Sequence, residues 1–345
     1  MTYSLEDYDF ELPPEQIASE ALADRSASRM LVVERSSGGL VDTQFSGLPN
    51  YLREGDLLVL NNTKVFPARL FGISETGARL EIFLVDDLGD KTWNVLARPA
   101  RRLTTGKTVI FDGELSAKVF EKTEDGRIIL RFECDGDLDA AIDRVGRTPL
   151  PPYIKRETSA LDRDRERYQT VYAKERGAIA APTAGLHFTP QVFDELRRFG
   201  VEFAEITLHV GYGTFEPVRA AVLWEHKVSP ERFSISAEAA LSLETAKKEG
   251  RRIIAVGTTT TRTLEYVHRA HGRFTAVSGM TELTILPGYK FEAIDGLLTN
   301  FHLPKSSLLV LVSTFAGHEL IMGAYRHAVA SGYRFYSYGD CMLIL

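Results

Sequence analysis

Only two cysteines, Cys134 and Cys341, occur in 345 residues, and neither belongs to a CxxC pair or a Cys/His cluster. A disulfide framework and a structural zinc site are excluded on that count. No apolar run approaches the ~20 residues that a membrane-spanning helix needs. Met1 to Asp24 carries Glu6, Asp7, Asp9, Glu11, Glu15, Glu20 and Asp24 but no Lys or Arg, the reverse of a signal peptide, so a cytoplasmic protein with no membrane partner is expected. Positive charge is also short. With 41 Lys and Arg against 47 Asp and Glu, net −6, the chain does not grip a polyanion with its whole surface. Several catalytic signatures are missing: GxSxG and HExxH do not occur, and Gly211–Gly213 lacks the third glycine of a dinucleotide fingerprint. Thr104–Thr108 ends like a phosphate loop but has Arg101 where the first glycine belongs.

What is present is enough apolar content, 44%, to bury a sizeable core in a chain of about two-domain length. Met30–Glu34 and Asp56–Leu60 read as buried strands. Between about Pro67 and Gly136 strands recur with turn punctuation: Ala78–Val85, Trp93–Ala97, Thr108–Phe111, then Ser116–Glu121 and Arg127–Phe132 around a Glu-Asp-Gly turn. Closing such short strands into a barrel removes their edges. From Thr189 helices and strands alternate: a helix to Phe199, a strand through Val210, a helix over Ser236–Glu249, and a strand over Ile253–Val256 followed by a helix. Pro304 is expected in the first turn of an apolar helix running to Phe315, followed by a helix over His318–Ala330 and strand-like pieces near Tyr333 and Met342. The expected fold class is α/β, with 1–66 and 150–345 forming a discontinuous catalytic domain and 67–149 an inserted β-barrel-like domain.

Five segments place polar chemistry at strand ends, where α/β sheets bind ligands. Asn61, Asn62, Thr63, Lys64 and Arg69 follow one apolar strand. Thr183, Gly185 and His187 precede a helix that Thr189 caps. His209 is followed by Gly211, Gly213 and Thr214. Gly257, Thr258, Thr259 and Arg262 open a helix whose N-terminal N–H groups suit an anion or a sugar. Asn300 and His302 supply a third histidine mouth. Each has a plain structural reading, as turn chemistry, a satisfied histidine or a cap. Together they describe a hydroxyl- and imidazole-rich cleft for a nucleoside-like or sugar-like ligand, with the reaction type open.

These segments, with "DYDFELPPEQIA" at Asp7–Ala18, "PLPPYI", "RYQTVYA" and the closing "YRFYSYGDCMLI", make the chain similar to the S-adenosylmethionine:tRNA ribosyltransferase-isomerase family of queuosine biosynthesis, in the family's order and over nearly the whole length. The resemblance implies that S-adenosylmethionine is a co-substrate and ribosyl donor, not a methyl donor, with no prosthetic group and no metal. Its ribosyl skeleton passes to the aminomethyl group of 7-aminomethyl-7-deazaguanine in a tRNA anticodon loop, giving epoxyqueuosine, adenine and methionine. The sulfonium acidifies the C5′ hydrogens, so a base and an acid for the departing adenine are needed. His187, His209 and His302 are the candidates implied for those roles. Thr258, Thr259 and Arg262 would hold ribose or the methionine carboxylate, and Lys64 and Arg69 a tRNA phosphate or the same carboxylate.

Three positions depart from the family pattern: Ser229 stands where its second histidine of HxMHxE belongs, Met280 where Trp is frequent, and Thr260 in Thr-Thr-Ser-x-Arg. For tRNA docking, the basic stretches Arg98–Lys107 and Lys155–Arg167 are available, which nominates Arg98, Arg101, Arg102, Lys155 and Arg156. A monomer is expected. The rival readings are an enzyme acting on a free nucleoside or sulfonium compound, and a non-catalytic RNA-binding module.

Overall fold

A computed structural model describes residues 4–112, 115–123, 127–151, 153–154, 161–215 and 223–345, with backbone alone at 161–163 and 214–215. Lys155, Arg156 and the Glu-Asp-Gly turn lie outside the described residues. The apolar runs expected as strands belong to a nine-stranded sheet. In spatial order its strands are Val277–Thr281, Glu231–Ile235, Glu202–Leu208, Leu57–Asn61, Ile253–Val256, Gly296–Asn300, Cys341–Ile344, Arg29–Val33 and Leu40–Gln44. Every residue of Leu57–Asn61, Ile253–Val256 and Gly296–Asn300 is buried, as strands covered on both faces require. Alternation divides them: Leu57 and Val59 pack with the helices Ala237–Lys248, Thr258–His271, Ser307–Ala316 and His318–Ala330, whereas Leu58 and Leu60 pack with the helix Pro190–Arg198. The result is helix, sheet and helix in three layers.

The strands from Glu202–Leu208 through Gly296–Asn300 are mutually parallel, with Ile206 opposite Asn61 and Val256 opposite Leu298. Their carboxyl ends therefore share one edge. Cys341–Ile344 runs against them with Cys341 beside Asn300, and Arg29–Val33 follows it with Met30 beside Cys341, so the residues just before both strands reach the same edge.

Six antiparallel strands, Arg69–Ser74, Arg79–Gly89, Thr92–Arg98, Thr108–Ile110, Leu115–Lys122 and Ile128–Cys134, close into a barrel filled by residues such as Leu70, Ile82, Val95, Ala117 and Leu130. Gly72 permits the closure, since a Cβ there would lie 2.7 Å from Val109 Cγ1. Asp137 caps the helix Leu138–Val145, whose Ala141 and Ile142 join the barrel core. The barrel packs on the sheet through Ile179, a Phe83–Tyr212 ring contact at 5.5 Å and Arg176 ion pairs to Asp139 and Asp143.

Three expectations differ from the structure, and one strand was not expected. Pro304 lies outside its helix, which begins at Ser307, because Lys305 takes φ +55° and the Ser306 hydroxyl caps by accepting from the Leu309 N–H at 3.2 Å. The strand near Tyr333 is absent apart from a single bridge between Ile17 and Phe335. The strand expected through Val210 stops at Leu208, and Leu40–Gln44 pairs as an unanticipated edge strand. Among the described residues no single helix is long and apolar enough to cross a membrane; Ser307–Ala316 and His318–Ala330 turn by 118° at Gly317.

Candidate active site

Along the shared edge, the carboxyl ends of three parallel strands and two neighbouring turns enclose a cleft of about 640 Å³, measured to its open mouth. Thr183, Gly257, Thr258, Thr259, Asn300 and His302 line it, together with Thr299, Tyr168, Phe301 and Tyr336. The run of threonines divides by geometry. Thr260 and Thr261 turn inward and donate to the carbonyls of Val256 and Gly257 at 2.8 and 3.1 Å, so their hydroxyls are consumed within the helix. Thr258 and Thr259 remain on the cleft wall. Gly257 takes φ +94° before them and caps the helix without a side chain, leaving its N-terminal N–H groups open to a ligand.

The three histidines are not equivalent. His302 is buried on the wall; its Nε2 meets Thr299 Oγ1 at 3.0 Å and its Nδ1 has no hydrogen-bond partner among the described residues. Burial lowers its pKa to about 3, so the ring is neutral at physiological pH. His209 is half-buried and not among the residues lining the cleft, with Nδ1 2.8 Å from Thr63 Oγ1. Desolvation and then the Arg232 charge lower its pKa to about 4. Room for this ring depends on Gly177, at φ +152°, where a Cβ would lie 2.6 Å from His209 Nδ1.

His187 sits behind Asn300 and off the cleft wall. Asn300 Nδ2 donates to the carbonyls of Tyr336 and Ser337 at 2.9 and 3.3 Å, which turns Oδ1 toward His187 Nε2 at 3.2 Å. Nε2 must therefore carry the proton, and Nδ1 accepts from the Ser28 hydroxyl at 2.7 Å. Both ring nitrogens are committed. Desolvation outweighs the Asn300 bond and lowers the His187 pKa to about 4.

Of the amide pair, Asn61 ties strands together: its Oδ1 accepts from the N–H groups of Leu208 and Thr63 at 3.0 and 3.2 Å, and its Nδ2 donates to Leu208 O at 2.9 Å. It reaches the cleft only through Thr259 Oγ1, 3.4 Å away. Asn62 is turned to Glu205 and Thr207. Lys64 is exposed on the short strand Thr63–Val65, and Arg69 pairs with Glu81 on the barrel at 3.3 Å. Gly185 leaves space for the Tyr172 hydroxyl. Gly211 donates its N–H to Glu231 at 3.1 Å, and a Cβ on Gly213 would lie 2.5 Å from Ser229 Oγ. The Thr214 side chain lies outside the described residues. Arg262, 4% exposed, forms an ion pair with Glu231, while its Nε and Nη1 have no partner among the described residues. Arg98, Arg101 and Arg102 are exposed on the barrel, away from the cleft lining.

Sequence reasoning did not single out Ser28, Gly177, Glu231 or Asp340. The Asp340 carboxylate accepts from the N–H groups of Arg29 and Arg334 at 3.1 and 2.8 Å and so fixes the turn that carries Tyr336. The signal available for it was the Tyr-Gly-Asp turn directly before the final apolar strand.

A family profile described as queuosine biosynthesis protein matches residues 5–344. The chain is 51% identical over 341 residues to the S-adenosylmethionine:tRNA ribosyltransferase-isomerase of Heliobacterium modesticaldum, covering 98% of each chain. It is 48% identical over 344 residues to the enzyme of that name from Staphylococcus haemolyticus, covering 99% of this chain and 100% of the other. The crystal structure of the S-adenosylmethionine tRNA ribosyltransferase from Thermotoga maritima matches at a TM-score of 0.57 and 37% identity, over 98% of this chain and 100% of that one. With a cleft of this chemistry and a match that spans both barrel and sheet, the chain belongs to the family of queuosine biosynthesis proteins.

Proposed function

We propose that the protein is an S-adenosylmethionine:tRNA ribosyltransferase-isomerase, moving the ribosyl skeleton of S-adenosylmethionine onto 7-aminomethyl-7-deazaguanine in a tRNA anticodon loop. The observation that carries this reading is the gathering of Thr258, Thr259, Asn300 and His302 in one cleft of a chain so closely similar to enzymes of that name. The reaction takes place in the cytoplasm, with S-adenosylmethionine as co-substrate.

Thr258, Thr259 and the open N–H groups of their helix hold the sugar hydroxyls or the methionine carboxylate, with Arg262 beside them. His302 lies on the cleft wall with only Nε2 engaged, to Thr299, so a neutral ring there can accept a proton, although burial weakens it as a base. It takes the C5′ proton that the sulfonium acidifies and, once charged, returns a proton to the departing adenine. Half-buried His209, next along the chain to the cleft residue Val210, takes a proton from the incoming aminomethyl group so that its nitrogen can attack. His187 positions Asn300 and does not exchange protons with substrate. Lys64 and Arg69 serve the tRNA backbone, as do Arg98, Arg101 and Arg102 on the barrel. The division of labour follows the chain, with the sheet domain carrying chemistry and the inserted barrel helping to dock tRNA. Incubating the protein with S-adenosylmethionine and tRNA bearing the modified base, then digesting the tRNA for nucleoside mass analysis, tests the reading. Epoxyqueuosine is the expected product, and recovery of only the starting base would reject it.

A further inference from the structure

The turn that carries Tyr336 has no part in the proton transfers, yet it holds the most strained residue on the cleft wall. Tyr336 takes φ +76°, a region that large side chains avoid because Cβ crowds the backbone. Several independent bonds hold it there. Its N–H donates to Phe301 O at 3.0 Å, and its carbonyl accepts from Asn300 Nδ2 at 2.9 Å and from the Gly339 N–H at 3.0 Å. Gly339 cannot be replaced without collision, since a Cβ there would lie 2.5 Å from Arg334 O. Strain kept by so many constraints is the pattern found at ligand-binding positions.

The conformation brings Tyr336 onto the cleft wall beside Asn300 and Ser337. Behind it packs Tyr153, with ring centroids 4.5 Å apart and planes inclined by 53°, and the Tyr153 hydroxyl accepts from the Ser337 N–H at 3.1 Å. One side of the Tyr336 ring is thus occupied by protein. Tyr168, Phe301, Leu308 and Pro182 complete an apolar, aromatic part of the lining, in contrast to the hydroxyls of Thr258, Thr259 and Thr299. A ligand with a flat heteroaromatic base and a polar sugar matches that division.

We propose that Tyr336 is the stacking platform for the adenine base of the sulfonium substrate, holding the leaving group while the bond to ribose breaks. Tyr336 is a positioning residue for the known reaction class, and assigning adenine to it rests on the ribosyl-transfer reading above. The 7-deazaguanine of the tRNA is also flat, so the test separates the two bases. Stacking of a base on an aromatic side chain corresponds to roughly 5- to 150-fold in affinity.

The experiment is equilibrium dialysis of labelled S-adenosylmethionine against the full-length protein saturated with unmodified tRNA, alongside KM values for S-adenosylmethionine and for modified tRNA. The variants are Tyr336→Phe, Tyr336→Leu and Tyr336→Gly. Phe should keep S-adenosylmethionine affinity within about twofold, since it keeps the face. Leu and Gly should lose roughly 5- to 150-fold and raise the KM for S-adenosylmethionine while leaving that for tRNA unchanged. Gly relieves the positive φ but forfeits the packing on Tyr153, so thermal unfolding is run alongside to show that each variant is folded. A folded Leu or Gly variant that binds S-adenosylmethionine as the wild type does would overturn the proposal. A loss confined to the KM for tRNA would assign the platform to the tRNA base and equally overturn it. Wild-type binding of S-adenosylmethionine that depends on the Tyr336 ring, without any ribosyl transfer, would leave the platform standing and reject the reaction.

Discussion

Replacing His187 by Gln should remove about 2 kcal/mol of the stability that the protein loses between about pH 7.5 and about pH 5. The folded ring is neutral, 4% exposed and held to a pKa of about 4 by burial, against 6.5 for a free imidazole. The unfolded chain therefore takes up a proton as pH falls through 6.5, while the folded chain does not until about 4. Stability is complete above 6.5 and is lost progressively down to about 4, reaching about 3 kcal/mol from this one group below both values. Gln is the informative substitution. Its amide reaches the position of Nε2 and can donate to Asn300 Oδ1, while the Ser28 hydroxyl retains Arg25 O at 3.2 Å as an acceptor. Equilibrium urea unfolding followed by circular dichroism at the two pH values gives the quantity directly. His209 and His302 also titrate, but they cancel between wild type and variant. Equal losses in the two proteins would refute both the burial of a neutral His187 and the proton placement drawn from Asn300.

Gly177→Ala pushes a methyl group into the His209 ring, whose Nδ1 and Cε1 would lie 2.6 and 2.7 Å from the new Cβ. Turnover should fall by roughly 10- to 100-fold with the fold retained, and unchanged kinetics would exclude His209 from the reaction. Because His209 and His302 have pKa values lowered to about 4 and about 3, kcat/KM should be flat from about pH 6 to about pH 8. A limb near the ordinary histidine value would show that neither neutral ring is the base. Charge reversal of Arg101 and Arg102 to Glu should weaken tRNA binding and reduce the slope of log affinity against log salt by about 2. An unchanged slope would move the docking surface away from that turn.

The alternation of short strands between Arg69 and Cys134 was readable because each buries one face, and period-2 patterning survives whatever the tertiary contacts. Helix ends were equally plain where Thr189 and Ser236 cap: the observed helices are Pro190–Arg198 and Ala237–Lys248, within a residue or two of expectation. Pro304 misled because proline is compatible with a first helical turn, but the choice of cap was made by Ser306. In the cleft, the loops carrying His302, Asn300, Thr258 and Thr259 could be located from the sequence since each follows an apolar strand. The inequality of the histidines could not. It depends on Ser28 and Asn300, 159 and 113 residues from His187, which meet it only after the strands take their order. Tyr336 was hidden for a related reason, as its positive φ is imposed by bonds from Phe301, Asn300 and Gly339 rather than by its own residue type.

The central claim, that this cleft breaks the bond between adenine and ribose only when a tRNA aminomethyl group can receive the sugar, is tested most directly by single-turnover adenine release. Purified protein is mixed with S-adenosylmethionine and tRNA carrying 7-aminomethyl-7-deazaguanine, and adenine is measured against a control lacking tRNA. The account predicts one adenine per modified tRNA ribosylated and none in the control. Adenine released equally without tRNA would make the protein an enzyme of free sulfonium nucleosides, and none released despite tight tRNA binding would make it an RNA-binding module; either result contradicts the account.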